Sequence, residues 1–398
     1  MSSFAKKTVR DIDVRGKRVL VRVDFNVPLT EDGGVADDTR IRESLPTIRY
    51  LQEQGARVIL VSHLGRPKGP DPKFSLRPVA KRLEELLGAP VAFAEDCVGA
   101  PAFAVVEALP AGGVALLENL RFHPGEEAND PEFAKALAAL CDVYVNDAFG
   151  TAHRAHASTE GVARLRPAVA GFLMEKELRY LGELVESPPR PFAAVVGGAK
   201  VSSKLAAVRR LLEKVDRLVI GGGMANTFLA AQGFSVGRSL IERELVAEAA
   251  AILNAGAQRG VGIVLPVDVV AAPSLDAEAE ARVVPVQAIP DDLMALDIGP
   301  ASVEAFRQAL EGSKAVVWNG PMGVFERPAF AKGSLAVARI IAELDAVTVV
   351  GGGETVALVA QAGLQGRYTH VSTGGGDSLE MLEGKTLPGV AALLDKEA

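Results

Sequence analysis

The 398-residue sequence lacks the features that mark most secreted, membrane-spanning and nucleic-acid-binding proteins. It has two cysteines, Cys97 and Cys141, too few for a disulfide framework. No apolar run reaches transmembrane length, and the first residues contain no apolar core of signal-peptide length. The formal net charge is −7, which argues against general binding to nucleic acid or to acidic membranes. We therefore expect a cytoplasmic protein with no nucleic-acid or membrane partner.

Two common nucleotide-binding motifs are also missing. There is no GxxxxGK[ST] phosphate loop. No GxGxxG followed by an acidic residue about twenty positions later comes after the first strand of either half, which weighs against a dinucleotide-dependent dehydrogenase.

Cys141 is better explained as a small apolar residue at the start of a strand than as a nucleophile.

The composition is that of an ordinary soluble α/β protein of about two or three domains, with 48% hydrophobic and 23% charged residues. A strong helical pattern covers residues 171–186 and is ended by the proline-rich residues 187–191. We interpret this helix as a connector between two halves. A crossover helix within one large sheet is the alternative.

In the first half, four apolar, strand-like runs each end in polar or basic side chains. Ligands of open parallel sheets bind outside the carboxyl ends of the strands. Arginine and histidine concentrated there would suit a small, highly charged anion. The side chains in question are Asp24, Asn26, His63, Arg66, Arg121, His153 and Arg154, with Arg40 close by.

Arg40 and the pair His153 and His156 each have an alternative explanation. Arg40 falls in the first turn of a predicted helix, where a positive charge is unfavourable unless an anion lies beside it. The alternative is an exposed arginine paired with Asp37 or Asp38. His153 and His156 have the spacing of a metal pair, but no third ligand clusters with them and Arg154 would repel a cation.

Near the middle of the chain, residues 192–204 (FAAVVGGAKVSSK) have the pattern of a phosphate-binding turn. A strand runs into Gly197 and Gly198, which allow backbone N–H groups to approach a ligand closely. The pattern then predicts a helix that carries Lys200 and Lys204 on one face. A tight turn between strand and helix with no ligand is the alternative.

The predicted strands of the second half end in glycine rather than arginine. They are residues 217–223, 315–323, 346–353 and 369–376, and helices are predicted between them, for example over 240–253 and 333–344. Repeated glycine at strand ends lets a flat ligand and a phosphate chain lie against bare backbone. This half is therefore predicted to bind a nucleotide.

Eight segments, in order along the chain, closely resemble the phosphoglycerate kinase family. They are KRVLVRVDFNVPL, SHLGRPKG, LLENLRFHPGEE, DAFGTAHRAHAS, GGAKVSSK, IGGGMANTF, VWNGPMGVFE and VSTGGGDSLE. The resemblance implies an α/β fold with two doubly wound, parallel-sheet domains, joined by a helix and separated by an open cleft. It implies a triose-binding domain over 1–170, a connecting helix over 171–186, a nucleotide-binding domain over 187–386, and a C-terminal segment, 387–398, that returns to the first domain.

The resemblance also implies an activity and its ligands. These are reversible phosphoryl transfer between 1,3-bisphosphoglycerate and Mg-ADP, giving 3-phosphoglycerate and Mg-ATP, with Mg²⁺ as cofactor and domain closure by hinge bending. Such a transfer needs positioning and charge stabilisation rather than a strong base, in keeping with many cations and no nucleophile–base pair. We expect a monomer with small-molecule partners only. The rival functions are an anion-binding protein without chemistry and a nicotinamide dehydrogenase.

The resemblance assigns roles residue by residue. Triose-binding positions are matched by Asp24, Asn26, Arg40, His63, Arg66, Arg121 and Arg154. Nucleotide-binding positions are matched by Gly198, Ala199, Lys204, Gly221, Gly222, Leu296, Asn319, Pro321, Glu326, Gly353 and Glu354. Catalytic positions are matched by Arg40, Lys200, Gly375 and Gly376.

Three positions depart from the family pattern. Glu354, which we predict to be the Mg²⁺ ligand, stands where the family usually has an Mg-binding aspartate. Asp377 stands where the family usually has alanine. Either acid follows a Gly-Gly-Gly turn, so each is also explained as a favourable charge at a helix N-terminus. Ser203 replaces an aspartate between the two lysines and so removes a carboxylate that would orient them.

Overall fold

The computed structural model describes residue 2 and residues 4–397. The chain divides into two compact units. One comprises the chain up to Arg179 together with the C-terminal segment from Thr386, and the other comprises Tyr180–Lys385. The boundary falls within helix α6, Phe172–Glu186.

The first unit is a six-stranded parallel sheet with helices between its strands. The strands are β1 Arg18–Arg22, β2 Arg57–Val61, β3 Val91–Ala94, β4 Val114–Leu117, β5 Val143–Asn146 and β6 Ala168–Ala170, in the order β3-β4-β2-β1-β5-β6. The helices are α1 Thr39–Glu53, α2 Arg77–Leu87, α3 Gly99–Ala108, α4 Pro124–Glu127 and α5 Pro131–Ala138. The central strands are almost continuously apolar because helices cover both faces of a parallel sheet.

The core of this unit lies between the sheet and its helices. Val19 and Val21 from β1 and Leu60 from β2 are buried with Ile48 from α1 and Leu83 from α2. Burial of each such side chain stabilises the fold by about 1.5–3 kcal/mol relative to leaving it exposed. This core fixes the carboxyl ends of the strands, from which the candidate site residues project.

The C-terminal segment packs on the first unit. It contains α14, Pro388–Ala391. The backbone N–H of Gly389 donates to the carbonyl of Ala152 at 2.8 Å, and Lys6 forms an ion pair with Asp395 at 2.7 Å. Residues 386–398 thus belong to the same compact unit as the start of the chain.

The second unit also has a six-stranded parallel sheet. The strands of the unit are β7 Phe192–Val196, β8 Arg217–Ile220, β9 Gly262–Val264, β10 Asp268–Ala272, β11 Arg282–Pro285, β12 Met294–Ile298, β13 Ala315–Asn319, β14 Val347–Gly351 and β15 His370–Val371. The parallel sheet has the order β15-β14-β13-β7-β8-β9. The helices that follow α6 are α7 Leu205–Leu212, α8 Met224–Ala231, α9 Val246–Arg259, α10 Pro300–Leu310, α11 Lys332–Ala342, α12 Gly353–Gln361 and α13 Gly376–Leu382.

The sequence pattern did not indicate β9 or a three-stranded antiparallel sheet with the order β11-β10-β12. The antiparallel sheet has its own small core, which includes Val269, Ala271 and Val284. Residues of β10 and β12 also line the cavity described below.

The predicted fold class is confirmed, because both units contain a parallel α/β sheet. One predicted helix is misplaced. The pattern indicated a helix over 240–253, whereas α9 runs over Val246–Arg259. The preceding residues are held by α8 instead, since Asn226 donates to the carbonyl of Leu240 at 3.0 Å and Thr227 accepts from the N–H of Glu242 at 3.2 Å. Of the helices described, none is both long and apolar enough to span a bilayer.

Candidate active site

In the first unit, β1 and β5 are neighbours at the point where the strand order changes direction. The chain leaves β1 toward β2 on one side, and it adds β5 and then β6 on the other. Ligands of doubly wound sheets bind at such a switch point. Residues 23–26 after β1 and residues 147–154 after β5 therefore lie at the edge where the sequence predicts an anion site.

A chain of hydrogen bonds connects four of the predicted triose-binding residues. Arg40 Nη1 donates to Asp24 Oδ1 at 3.1 Å and to the carbonyl of Asn26 at 2.9 Å. Asn26 Oδ1 accepts from the N–H of Gly65 at 2.9 Å, and Arg121 Nη1 donates to the carbonyl of Gly65 at 2.9 Å. The ends of β1, β2 and β4 are thereby tied together. Arg40 forms its ion pair with Asp24 rather than with Asp37 or Asp38, the partners of the alternative explanation.

Behind these residues lies a buried polar network around Arg22. Its Nε donates to Ser158 Oγ at 2.8 Å, and its Nη2 lies 3.0 Å from His63 Nδ1. Ser158 in turn donates to Glu126 Oε2 at 2.6 Å, so a buried cation and a buried anion are joined through one hydroxyl. Arginine can only donate, so Nδ1 of His63 accepts and Nε2 carries the proton. His63 is thus prepared to donate a hydrogen bond to an anion.

The cluster is strongly positive. Burial and the charges of Arg22 and Arg121 lower the pKa of His63, which keeps this imidazole neutral. Burial and the charge of Arg121 lower the pKa of His156 to about 4. The pKa of Arg121 itself is lowered by burial and by Arg22 and Arg154, although Glu127, paired with Arg121 at 3.1 Å, opposes the shift. Neighbouring cations repel one another, and a bound anion would reduce this repulsion.

The remaining predicted residues lie at the rim of the cluster. Arg66 follows Gly65 and is exposed, as is Arg154. Arg154 Nε donates to His153 Nε2 at 3.0 Å, an interaction that uses a ring nitrogen needed for a metal. Within the residues that the structure describes, His153 and His156 gain no third metal-binding group.

The switch point of the second unit lies between β7 and β13. The turns after β7, β8 and β13 pack backbone against backbone. A Cβ on Gly222, which has φ +70°, would lie 2.7 Å from the Gly198 nitrogen and from the Pro321 carbonyl. A Cβ on Gly320, at φ +102°, would lie 2.2 Å from the carbonyl oxygen of Gly197. Glycine at these two positions is required for both the backbone conformation and the close approach.

A cavity of about 480 Å³ opens beside these turns. Its walls are mainly apolar, with three carboxylates, Asp297, Glu326 and Glu354, and one guanidinium, Arg238. Such a lining suits a flat base with a polar sugar and phosphate end. Seven of the predicted nucleotide-binding residues line it, namely Gly198, Ala199, Gly222, Leu296, Pro321, Glu326 and Glu354. Gly221 and Gly353 are next to lining residues in the chain but are not part of the wall, and Asn319, also outside the wall, lies two residues before Pro321.

The two lysines do not share a helix face, so this prediction is wrong. Residues 199–201 are irregular, residues 202–204 form a turn, and α7 begins only at Leu205. Two serines divert the backbone: Ser203 Oγ donates to the carbonyl of Lys200 at 3.0 Å, and the N–H of Ser202 donates to Glu242 Oε1 at 3.0 Å. The Ser203 hydroxyl and the Glu242 carboxylate thus compete with helical hydrogen bonding for these backbone groups.

The lysines consequently have different environments. Lys200 is exposed. Lys204 is partly buried and hydrogen-bonds to Asn319 Oδ1. Burial lowers the pKa of Lys204 to about 8, although the charge of Glu354 opposes the shift. Lys204 and Glu354 are thus electrostatic neighbours beside the cavity.

The two candidate carboxylates of the second unit also differ. Glu354 is exposed in the first turn of α12 and lines the cavity, which fits a ligand for a metal that arrives with a nucleotide. Asp377 is fully buried at the start of α13 and is not among the residues of the cavity wall. Gly375 and Gly376 lie at the same helix start, with Gly375 as the N-cap at φ +52°.

Sequence analysis missed two residues that shape these sites. Arg22 is a charged residue in the apolar strand β1, and Asp297 is one in the apolar strand β12. A charged residue within an apolar strand is the signal that would have identified both. Asp297 accepts from the N–H of Gly333 at 2.9 Å and of Ile298 at 2.8 Å, and it borders the cavity. Burial raises its pKa to about 7.

Comparison with known proteins identifies the family that shares this arrangement. The sequence model of the phosphoglycerate kinase family matches residues 9–385. The chain belongs to the phosphoglycerate kinase family. A phosphoglycerate kinase of Pelotomaculum thermopropionicum is 63% identical over 394 residues, covering 99% of this chain and all of the relative. A phosphoglycerate kinase of Triticum aestivum that is named cytosolic is 57% identical and covers 97% of each chain.

Solved phosphoglycerate kinase structures have the same fold. The phosphoglycerate kinase of Coxiella burnetii superimposes with a TM-score of 0.90 at 41% identity, covering 97% of this chain and 98% of that one. The enzyme from Pyrococcus horikoshii OT3 gives 0.83 at 36% identity with the same coverage. The predictions of family, fold class and enzyme class are therefore confirmed, and the chain is an ATP-dependent kinase of glycolysis.

Proposed function

We propose that this chain transfers a phosphoryl group reversibly between 1,3-bisphosphoglycerate and Mg-ADP, giving 3-phosphoglycerate and Mg-ATP, and that the residues below perform the transfer. The observation that carries the assignment is the pairing of two chemically different sites. The first unit holds the crowded cations around Arg121, and the second holds an apolar cavity with Lys204 and Glu354 beside it. A triose phosphate needs the former and a nucleotide the latter.

The triose is proposed to bind to the cluster in the first unit. Guanidinium groups match the oxygens of phosphate and carboxylate as paired donors, and neutral His63 adds a directed N–H. Asp24 and Asn26 orient Arg40 and offer acceptors for hydroxyl groups. The proposed ligands are Asp24, Asn26, Arg40, His63, Arg66, Arg121 and Arg154.

The nucleotide is proposed to bind in the cavity of the second unit. The base would lie near Leu296, the ribose would meet Glu326, and the phosphates would extend toward Lys204. Mg²⁺ enters as part of the substrate Mg-ADP, and Glu354 would supply one carboxylate ligand, since Mg²⁺ keeps several waters. Bound in this way, the ion neutralises phosphate charge.

The chemistry requires little from the protein beyond position and charge. The attacking group is a nucleotide phosphate oxygen in one direction and an ionised carboxylate in the other, so no base is needed. Arg40 and Lys200 are proposed to stabilise the transferring group, with the backbone of Gly375 and Gly376 supplying further N–H donors. The reacting atoms must approach within about 3–3.5 Å, which requires hinge bending.

We also propose the partners, the cellular location and the oligomeric state of the chain. The small-molecule substrates are the expected partners, and nothing in the charge of −7 favours nucleic acid. A homologue named cytosolic supports a cytoplasmic location. We propose that the chain acts as a monomer.

A coupled assay of 3-phosphoglycerate with Mg-ATP tests this function. Formation of ADP and 1,3-bisphosphoglycerate, followed through a reporting dehydrogenase, is the expected result. A protein that only closes on an anion would bind 3-phosphoglycerate without turnover, and a dehydrogenase would oxidise or reduce a nicotinamide without ATP. Either outcome would refute the proposal.

A further inference from the structure

Three potential metal ligands meet at the sheet edge of the first unit, away from the β1–β5 switch point. Asp96 and Cys97 lie in the turn between β3 and α3, and His123 lies between a short 3₁₀ helix that follows β4 and the start of α4. Because β3 and β4 are parallel neighbours, their carboxyl ends place these turns together. One carboxylate oxygen, the Cys97 sulfur and one His123 ring nitrogen all lie within 4.8 Å of one another.

The local hydrogen bonds orient these groups. His123 Nε2 lies 2.7 Å from Asp96 Oδ1, and the same oxygen accepts from the N–H of Cys97 at 2.7 Å. The Phe133 ring packs beside His123, with ring centroids 5.2 Å apart. The imidazole and the carboxylate are therefore held in position before any ion arrives.

The cluster is closed on one side and open on the other. Cys97 is fully buried, whereas the side chains of His123 and Asp96 are 34% and 37% exposed. Both of these residues line a cavity of about 960 Å³, which gives an ion a path to the cluster and leaves room for a water ligand. Three protein ligands and one water form a common open tetrahedral arrangement for zinc.

The surroundings favour a cation. Five acidic side chains line the cavity, namely Asp32, Asp71, Glu95, Asp96 and Glu118, against two basic ones, Arg77 and Lys81, and Arg77 is paired with Glu95.

We propose that Asp96, Cys97 and His123 form a binding site for a first-row transition-metal cation of the Zn²⁺ class, distinct from the Mg²⁺ that accompanies the nucleotide. The donor set decides the metal class. Sulfur and imidazole suit Zn²⁺ and Co²⁺, whereas Mg²⁺ and Ca²⁺ require oxygen ligands. On binding, the Cys97 thiol releases its proton to solvent. The proton between His123 Nε2 and Asp96 is also given up, and the hydrogen bond between these two residues is exchanged for two metal–ligand bonds.

The proposal is tested with Co²⁺, which reports its ligands spectroscopically, on the full-length protein without nucleotide. The expected result is one tightly bound Co²⁺ per chain with a thiolate-to-cobalt charge-transfer band, which Zn²⁺ then removes by displacement. Cys97→Ala should abolish the band, and His123→Asn should weaken binding at least about tenfold. Cys141→Ala and Glu354→Gln are the matched controls and should bind as the unchanged chain does.

The measurement on the unchanged chain is decisive even if a variant fails to fold. Absence of the charge-transfer band at saturating Co²⁺ would overturn the proposal. Survival of the band in Cys97→Ala, or its loss in Cys141→Ala, would do the same. Thermal unfolding with Zn²⁺ is an independent readout, since a bound ion raises the Tm of the unchanged chain and leaves that of Cys97→Ala unmoved.

Discussion

Arg40 donates to Asp24 from the first turn of α1, at 3.1 Å between Nη1 and Oδ1. The arginine is 47% exposed, while the aspartate side chain is mostly buried. A partly buried acid thus holds the exposed guanidinium at the strand ends rather than letting it pair within its own helix. The arrangement positions a positive charge where an anion would arrive, and it does so before the anion binds.

Arg40→Ala should lower kcat about 10²- to 10³-fold while weakening triose binding far less, because the charge is proposed to serve the transferring group. Arg40→Lys should also be poor, since a point charge does not reproduce the paired donors of a guanidinium. Steady-state kinetics with 3-phosphoglycerate and Mg-ATP measure both parameters.

Arg42→Ala is the matched control for this experiment. Arg42 lies on the same helix, is exposed, and pairs with Asp38 at 2.9 Å instead of with the cluster. Its removal should leave kcat and KM near those of the unchanged enzyme. If Arg40→Ala keeps its kcat and shows only a raised KM, the proposed role of Arg40 in the transition state is wrong.

The lowered pKa of Lys204 predicts a pH dependence of nucleotide use. As pH rises through about 8, Lys204 in the free enzyme loses its proton and its attraction for phosphate. The value of kcat/KM for Mg-ADP should then fall about tenfold per pH unit, whereas kcat should fall less because bound phosphates hold the proton.

Arginine keeps its charge in this range, so Lys204→Arg should flatten the kcat/KM profile above pH 8. Lys200→Arg is the comparison, because Lys200 is exposed, and it should leave the inflection in place. An inflection that persists unchanged in Lys204→Arg would mean that another group titrates.

The two carboxylates of the second unit should differ in their effect on the metal. Glu354→Gln should raise the apparent KM for Mg-ADP about tenfold or more, because Glu354 lines the cavity. Asp377→Asn should change it little, since Asp377 is fully buried outside the cavity wall. Titration of Mg²⁺ at fixed ADP compares the variants, and a larger defect in Asp377→Asn would identify the opposite residue as the ligand.

Ligand-dependent compaction is the fourth prediction. The proposed triose and nucleotide residues belong to different units. Transfer between them requires the bound ligands to meet, so closure should need both. Small-angle X-ray scattering should give the smallest radius of gyration with triose and nucleotide together. Equal radii for the free protein, both single complexes and the ternary complex would contradict hinge bending.

The strand ends were predictable because each is a local pattern. An apolar run followed by Asn26, His63 or Arg121, or by paired glycines, is visible within about ten residues of sequence. Since parallel strands must share one edge, these short signals were enough to group the predicted site residues within each half. Among the seven cavity-lining residues, Gly198 and Gly222 belong to such strand ends, whereas Leu296 and Glu326 were assigned only through the family resemblance.

What the sequence did not reveal depends on partners distant in the chain. Arg22 is stable in the core because Ser158 links it to Glu126, and those contacts span 136 and 32 residues. The turn at Lys200 likewise depends on Glu242, which is 40 residues away from Ser202. A helical spacing of lysines contains no information about such a competitor for the backbone.

The attachment of residues 386–398 to the first unit affects how a growing chain can fold on the ribosome. The pair of Lys6 with Asp395 joins residues made at opposite ends of synthesis, and the bond from Gly389 to Ala152 joins one of the last residues to the middle of the first unit's sequence. All of Tyr180–Lys385 is therefore translated before the C-terminal segment that completes the first unit has been made. At about 5–20 residues per second, that interval is on the order of ten seconds or more, during which the nascent first unit exposes the surface that this segment later covers.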